Sequence, residues 1–91
     1  MSKILLIVED RGDVGRAYRR YFARHFDQVY VSASAAAAEE LLSGGAPPTH
    51  LVCDYWLGRG ETVGTELVLR WRHVYPSLVR AVLVSGSQVG E

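Results

Sequence analysis

KILLIVED, residues 3–10, sets five consecutive apolar side chains, Ile4 to Val8, against two acids, Glu9 and Asp10. So short and uninterrupted a run reads as a strand covered on both faces, because a half-exposed strand would alternate. It is too short to span a membrane and lacks the small-residue cleavage pattern of a secretory signal. The same design recurs along the chain. Val29 to Ala33 predicts a second strand, Leu51 to Cys53 a third that closes on Asp54, and Ala81 to Val84 a fourth that closes on Ser85-Gly86.

Between these runs the period changes to that of a helix. Asp13 is expected to cap a helix from Val14 to Phe26. Val14, Ala17, Tyr18, Tyr21, Phe22 and His25 fall on its apolar side, and Arg16, Arg19, Arg20 and Arg24 on the other. Ser34 caps an alanine-rich helix running to Leu42, which Gly44-Gly45 stops. Pro47-Pro48 forces a turn before the third strand. After Asp54 a glycine-rich loop runs to Gly64. A third helix then extends from Thr65 to Tyr75, with Leu67, Val68, Trp71 and Val74 on one face and Pro76 at its end. The order β-α-β-α-β-α-β implies an α/β fold with a parallel sheet, right-handed crossovers and helices on both faces.

Composition narrows the function. The 91 residues suit one small domain, and 48% hydrophobic with 22% charged residues supplies an ordinary soluble core. Ten basic and ten acidic residues cancel, which argues against a partner held by bulk charge, whether nucleic acid or membrane. The single cysteine, Cys53, forms no internal disulfide, so the expected compartment is the cytoplasm.

In open parallel sheets, ligands bind beyond the C-terminal ends of the strands. Glu9 and Asp10 close one strand, Asp54 a second and Ser85 a third. One acid at a strand end is usually a solvated turn residue, but this combination is a less probable coincidence. If the first and third strands are neighbours, three carboxylates converge and repel unless a cation holds them. Magnesium fits, since it commonly takes one or two carboxylates plus waters and phosphate oxygens. A carboxylate beside it can attack phosphorus to form an aspartyl phosphate, with Ser85 offering its hydroxyl to a phosphoryl oxygen.

KILLIVED, LVCDYWLGRGETVGTELVLRWR and RAVLVSGS together resemble the receiver domain of two-component response regulators. The DYWLGRGET stretch is similar to receivers attached to hybrid histidine kinases. The resemblance implies a flavodoxin-like three-layer sandwich with strand order 2-1-3-4 across the four strands present. It implies that Asp54 is the phosphoacceptor and Asp10 a direct magnesium ligand. Glu9 assists through water, the Trp56 backbone carbonyl completes the metal's protein ligands, and Ser85 is the switch hydroxyl. Glu9 stands where aspartate is commoner, and Gly58 where many members carry proline. Against the family pattern, residues 1–91 are expected to form a single, C-terminally truncated receiver. It lacks the fourth helix, fifth strand and fifth helix, and with them the lysine that ends the fifth strand. The implied partners are a histidine kinase or a histidine phosphotransfer protein. A homodimer through the exposed fourth strand or the bare sheet faces is expected as well.

Other residues are read conservatively. The arginine stripe is a solvated face, with a minor docking role in the family. Cys53 is a small buried hydrophobe, and Trp71 is core. Trp56 either shapes access to the site or packs on its own loop. His25, His50 and His73 lack zinc-ligand spacing. The leading function is phosphorelay signalling, with at most self-phosphorylation and self-dephosphorylation in place of enzymatic turnover. The alternative is a degenerate receiver acting as a phosphorylation-independent interaction module. An aspartate-dependent phosphatase ranks last, because Trp56 stands where its second aspartate would be.

Overall fold

A computed structural model describes residues 2–44, 47–54 and 64–84. Seven elements follow in the expected alternation: β1 (Ile4–Val8), α1 (Gly12–Phe22), β2 (Gln28–Ser32), α2 (Ala35–Leu42), β3 (His50–Asp54), α3 (Gly64–Val74) and β4 (Arg80–Val84). The four strands form one all-parallel sheet in the order β2-β1-β3-β4. This is the flavodoxin-like order, with β1 and β3 adjacent.

β1 lies at the centre and every one of its residues is buried, which is why its sequence shows no alternation. Leu6 and Val8 face the layer of α2 and α3, packing with Ala38, Leu42, Leu51, Cys53, Leu67 and Trp71. Leu5 and Ile7 face α1, packing with Val52, Tyr18, Phe22 and Phe26. The register between β1 and β3 is pinned at its start by Thr49. Its N–H donates to the Ile4 carbonyl at 2.9 Å, and its Oγ1 accepts from the Ile4 N–H at 3.0 Å.

Several expectations need correction. Asp13 does not cap α1: the helix starts at Gly12, Arg11 is its N-cap residue and no side chain caps it. Asp13 sits in the first turn and pairs with exposed Arg11. The helix ends at Phe22, four residues early. Its inward stripe is Val14, Gly15, Tyr18 and Phe22, whereas Ala17, Tyr21 and His25 are exposed. The aromatic rings at 18, 21, 22 and 25 are close in sequence and pack partly on one another, so apolar character at Tyr21 does not mean burial. On α3, Val74 is likewise exposed, and Leu67, Val68 and Trp71 carry the inner face. β3 extends one residue further at each end, so Asp54 belongs to the strand. Ser34 does cap α2, accepting from the Ala37 N–H at 3.2 Å, and Cys53 and Trp71 are buried as expected.

A second tie joins α2 to α3. The Glu39 carboxylate accepts from the Trp71 indole N–H at 2.8 Å and pairs with Arg70. The indole is almost wholly buried, so its N–H needs this acceptor. The indole hydrogen bond holds the Glu39 carboxyl below its ordinary range; burial opposes it, and the hydrogen bond and charge of Arg70 add to the lowering.

Candidate functional site

Parallel alternation makes both sheet faces apolar and leaves the strand ends as the place where polar groups can gather. At the C-terminal edge, Val8 lies opposite Cys53, so the next residues, Glu9 and Asp54, emerge side by side. Glu9, Asp10 and Asp54 each place a carboxylate oxygen within 4.8 Å of the others. Glu9 and Asp54 are buried and Asp10 is exposed. The cluster therefore has a dry floor and one open side. The expected convergence of three acids at this edge is what the fold produces.

Local structure holds Glu9 in place. Its backbone N–H donates to the Ser32 carbonyl at the end of β2, at 2.9 Å, and its carboxylate accepts from the Arg11 N–H at 3.2 Å. That second bond explains the start of α1, because the helix's N-cap residue is anchored by the site itself. Gly15, one turn on, is buried under the same residue. A Cβ built there would lie 2.8 Å from a Val31 methyl and 3.9 Å from the Glu9 Cβ. Only glycine lets α1 approach this closely.

Burial pushes the Glu9 carboxyl up to about 7, opposed by the Arg11 N–H and reinforced by the charges of Asp54 and Asp10. Three carboxylate groups this close repel one another, and a cation among them would relieve that repulsion. All three donors are hard oxygens at mutual distances one ion can bridge, so the set suits a magnesium-like divalent ion. Beside them, burial drives the Cys53 thiol up to about 12. That leaves it an inert packing residue.

Two of the expected site residues, Ser85 and Trp56, lie outside the described residues. His50 is at the opposite end of β3, where its Nδ1 is 2.8 Å from Thr49 Oγ1. Burial, then Lys3 and Arg80, lower its pKa, and it takes no part in the acid cluster. Sequence reasoning missed Gly15 and Thr49. A glycine inside a helix-period stretch was the available signal for the first; the second had none.

No protein-family model matches the sequence, and no curated protein matches it significantly. The fold itself is that of a response-regulator receiver domain. The MaeR response regulator bound to beryllium trifluoride superposes with a TM-score of 0.78 at 24% identity, over 98% of this chain and 70% of that one. An aspartate-to-alanine mutant of MaeR bound to sulfate gives 0.77 at 21% identity, over 98% and 71%. A fusion carrying a trimeric coiled-coil segment of yeast Spc42 gives 0.77 at 22% identity, over 99% of this chain and 58% of that one. Among the described residues, no helix is long and apolar enough to cross a membrane.

Proposed function

We propose that this chain accepts a phosphoryl group on Asp54, with a magnesium ion held by Asp10, Asp54 and the Trp56 carbonyl, and Glu9 in support. The observation that carries this reading is the three-carboxylate cluster at the C-terminal edge of a receiver-type sheet. Magnesium would neutralise the cluster and draw charge from the phosphoryl oxygens. Asp54 is then the nucleophile and Ser85 a hydroxyl donor to the bound group. The donor in this reading is a phosphohistidine on a kinase or phosphotransfer protein, as the likeness of the fold to response-regulator structures suggests. The role is signalling in the cytoplasm without enzymatic turnover, and a homodimer is its assembly. The test is incubation with acetyl phosphate and magnesium. One phosphoryl mass should appear, be lost in base, and be absent from Asp54→Asn.

The near-complete burial of Asp54, at 1% exposure, favours a second reading in which the scaffold serves as a phosphorylation-independent interaction module. An unlabelled Asp54 in that experiment, in a chain that still binds its partner, selects it.

A further inference from the structure

Charge cancels over the whole chain but not over its surface. Val14 to Phe26 holds four arginines and no acid, while six of the ten basic residues and all ten acids lie elsewhere. Arg16, Arg19, Arg20 and Arg24 are all exposed. The ion pairs among the described residues are Arg11 with Asp13 and Arg70 with Glu39, and neither involves these four. Arg16, Arg20 and Arg24 recur every fourth residue, on the side of α1 opposite Gly15, Tyr18 and Phe22, which rest on the sheet. Like charges one helical turn apart are mutually destabilising. The helix dipole favours Arg19 and Arg20 in the last turn, but Arg16, a turn earlier, gains little from it. Beside the row stands Tyr21, 68% exposed. Its ring meets Phe22 edge-on at 5.0 Å and lies 6.3 Å from His25. Arg20, Tyr21, Arg24 and His25 line one concavity.

We propose that this face binds the backbone of a single-stranded nucleic acid, with Arg16, Arg20 and Arg24 on successive phosphates and Tyr21 stacked on a base beside them. Four residues of helix rise about 6 Å, close to the step between phosphates along one strand. Guanidinium forks pair bidentately with phosphate. An aromatic ring next to a cationic row holds bases without selecting their sequence. A lipid surface fits less well, because an interfacial helix turns its apolar face to the acyl chains, and α1 turns its own to the sheet. A protein partner would need apolar anchors at the centre of the contact. The apolar side chains exposed among the arginines are only Ala17 and Ala23 beside Tyr21. A duplex keeps its bases stacked and offers none to Tyr21.

The proposal is independent of the phosphoacceptor reading, so Asp54→Asn should bind as wild type does. Fluorescence anisotropy of the chain with a short labelled oligothymidylate should show binding that weakens with salt. Log K against log salt concentration should have a slope of about −2, as expected for three phosphates neutralised on a single strand. Combining Arg16→Gln, Arg20→Gln and Arg24→Gln, in a variant folded by circular dichroism, should remove most of the slope and about tenfold or more of the affinity. Lysine at the same three positions should keep most of the slope. Tyr21→Ala should lose about tenfold at unchanged slope, and Tyr21→Phe should not. Arg72→Gln, exposed on α3, should bind as wild type does. No binding at low salt, an unchanged slope in the triple glutamine variant, or equal losses from Arg72→Gln and Arg20→Gln overturns the proposal. Three other outcomes also overturn it, each naming a different occupant. Polyglutamate competing as well as unlabelled oligothymidylate identifies an acidic polypeptide. Phosphatidylserine vesicles that bind the chain when the oligonucleotide does not identify a membrane. Equal affinity for a blunt-ended duplex identifies double-stranded nucleic acid.

Discussion

Replacing Glu9 by glutamine removes a titrating carboxyl without changing its shape. The glutamine carbonyl still accepts from the Arg11 N–H, as the carboxylate does at 3.2 Å. Its amide carries no charge beside Asp54 and Asp10. Glu9 is raised from 4.5 to about 7, chiefly by burial, so the folded chain holds a proton that the unfolded chain releases between those values. The stability this gives is fully present below pH 4.5 and is lost as pH rises through 7. The rise corresponds to at most about 3 kcal/mol between the two protonation states. Solvent at the open Asp10 side screens part of it, leaving a working estimate of ~1–2 kcal/mol. Without divalent ions, Glu9→Gln should therefore exceed wild type in stability by that amount at pH 8 and match it at pH 4.5. Urea denaturation with a chelator, from pH 4.5 to 8, measures the gap directly. Saturating magnesium should shrink it, because an ion bound only by the folded state adds RT ln(1 + [L]/Kd) to the wild type. A gap of equal size at pH 4.5 and pH 8 would refute the reasoning, since the carboxyl's charge could not then be its source.

Three further outcomes follow from the same geometry. Asp10→Asn should weaken magnesium binding by isothermal titration at least tenfold, ~1.4 kcal/mol, whereas Asp13→Asn, in an exposed pair with Arg11, should leave affinity unchanged. Gly15→Ala gains up to ~1 kcal/mol of helix propensity but must displace Val31, an overpacking cost of about 1–3 kcal/mol. The net expectation in thermal denaturation is a modest loss of stability, with magnesium affinity falling as α1 and Glu9 shift. Glu39→Ala strands the buried Trp71 indole N–H and should cost about 1–3 kcal/mol in urea titration, with no effect on metal affinity. Because the Glu39 carboxyl is held low, its contribution is present above pH 4.5 and fades as pH falls below that.

The sheet and one side of the site were legible because each rests on a local pattern. Ile4–Val8 could not alternate if both faces were covered, and an acid directly after such a run has nowhere to go but the sheet's rim. Most of what stayed hidden depends on contacts distant in sequence. The start of α1 is the exception: Arg11 rather than Asp13 opens the helix, and the Glu9 carboxylate two residues before it takes the Arg11 N–H. Tyr21 and Val74 match the helical period yet lie exposed, since α1 and α3 each bury a narrower stripe than their apolar residues would allow. Thr49 looks like a turn residue in a proline-rich segment, and its hydroxyl contact with Ile4 spans 45 positions. The pairing of Glu39 with Trp71 joins two helices that local periodicity treats separately.

These distant contacts bear on the site more than the local ones do. Asp54 reaches Glu9 only because Val8 lies opposite Cys53. A slip of β3 by one residue against β1 would turn Asp54 to the α2–α3 side and place the Cys53 side chain on the site's face. The start of that register is held by Thr49, and the end by packing of Leu51 and Cys53 beneath Trp71 and Leu67. The acids cannot hold it, because they repel one another until a proton or a cation intervenes. Stability and chemistry are thus separated along each strand: the N-terminal hydroxyl and the apolar middle fix the register, and the C-terminal residue spends part of that stability on a charged cluster. An ion that enters from the Asp10 side relieves the repulsion without changing the register. Binding should therefore raise stability while leaving the sheet's pairing unaltered.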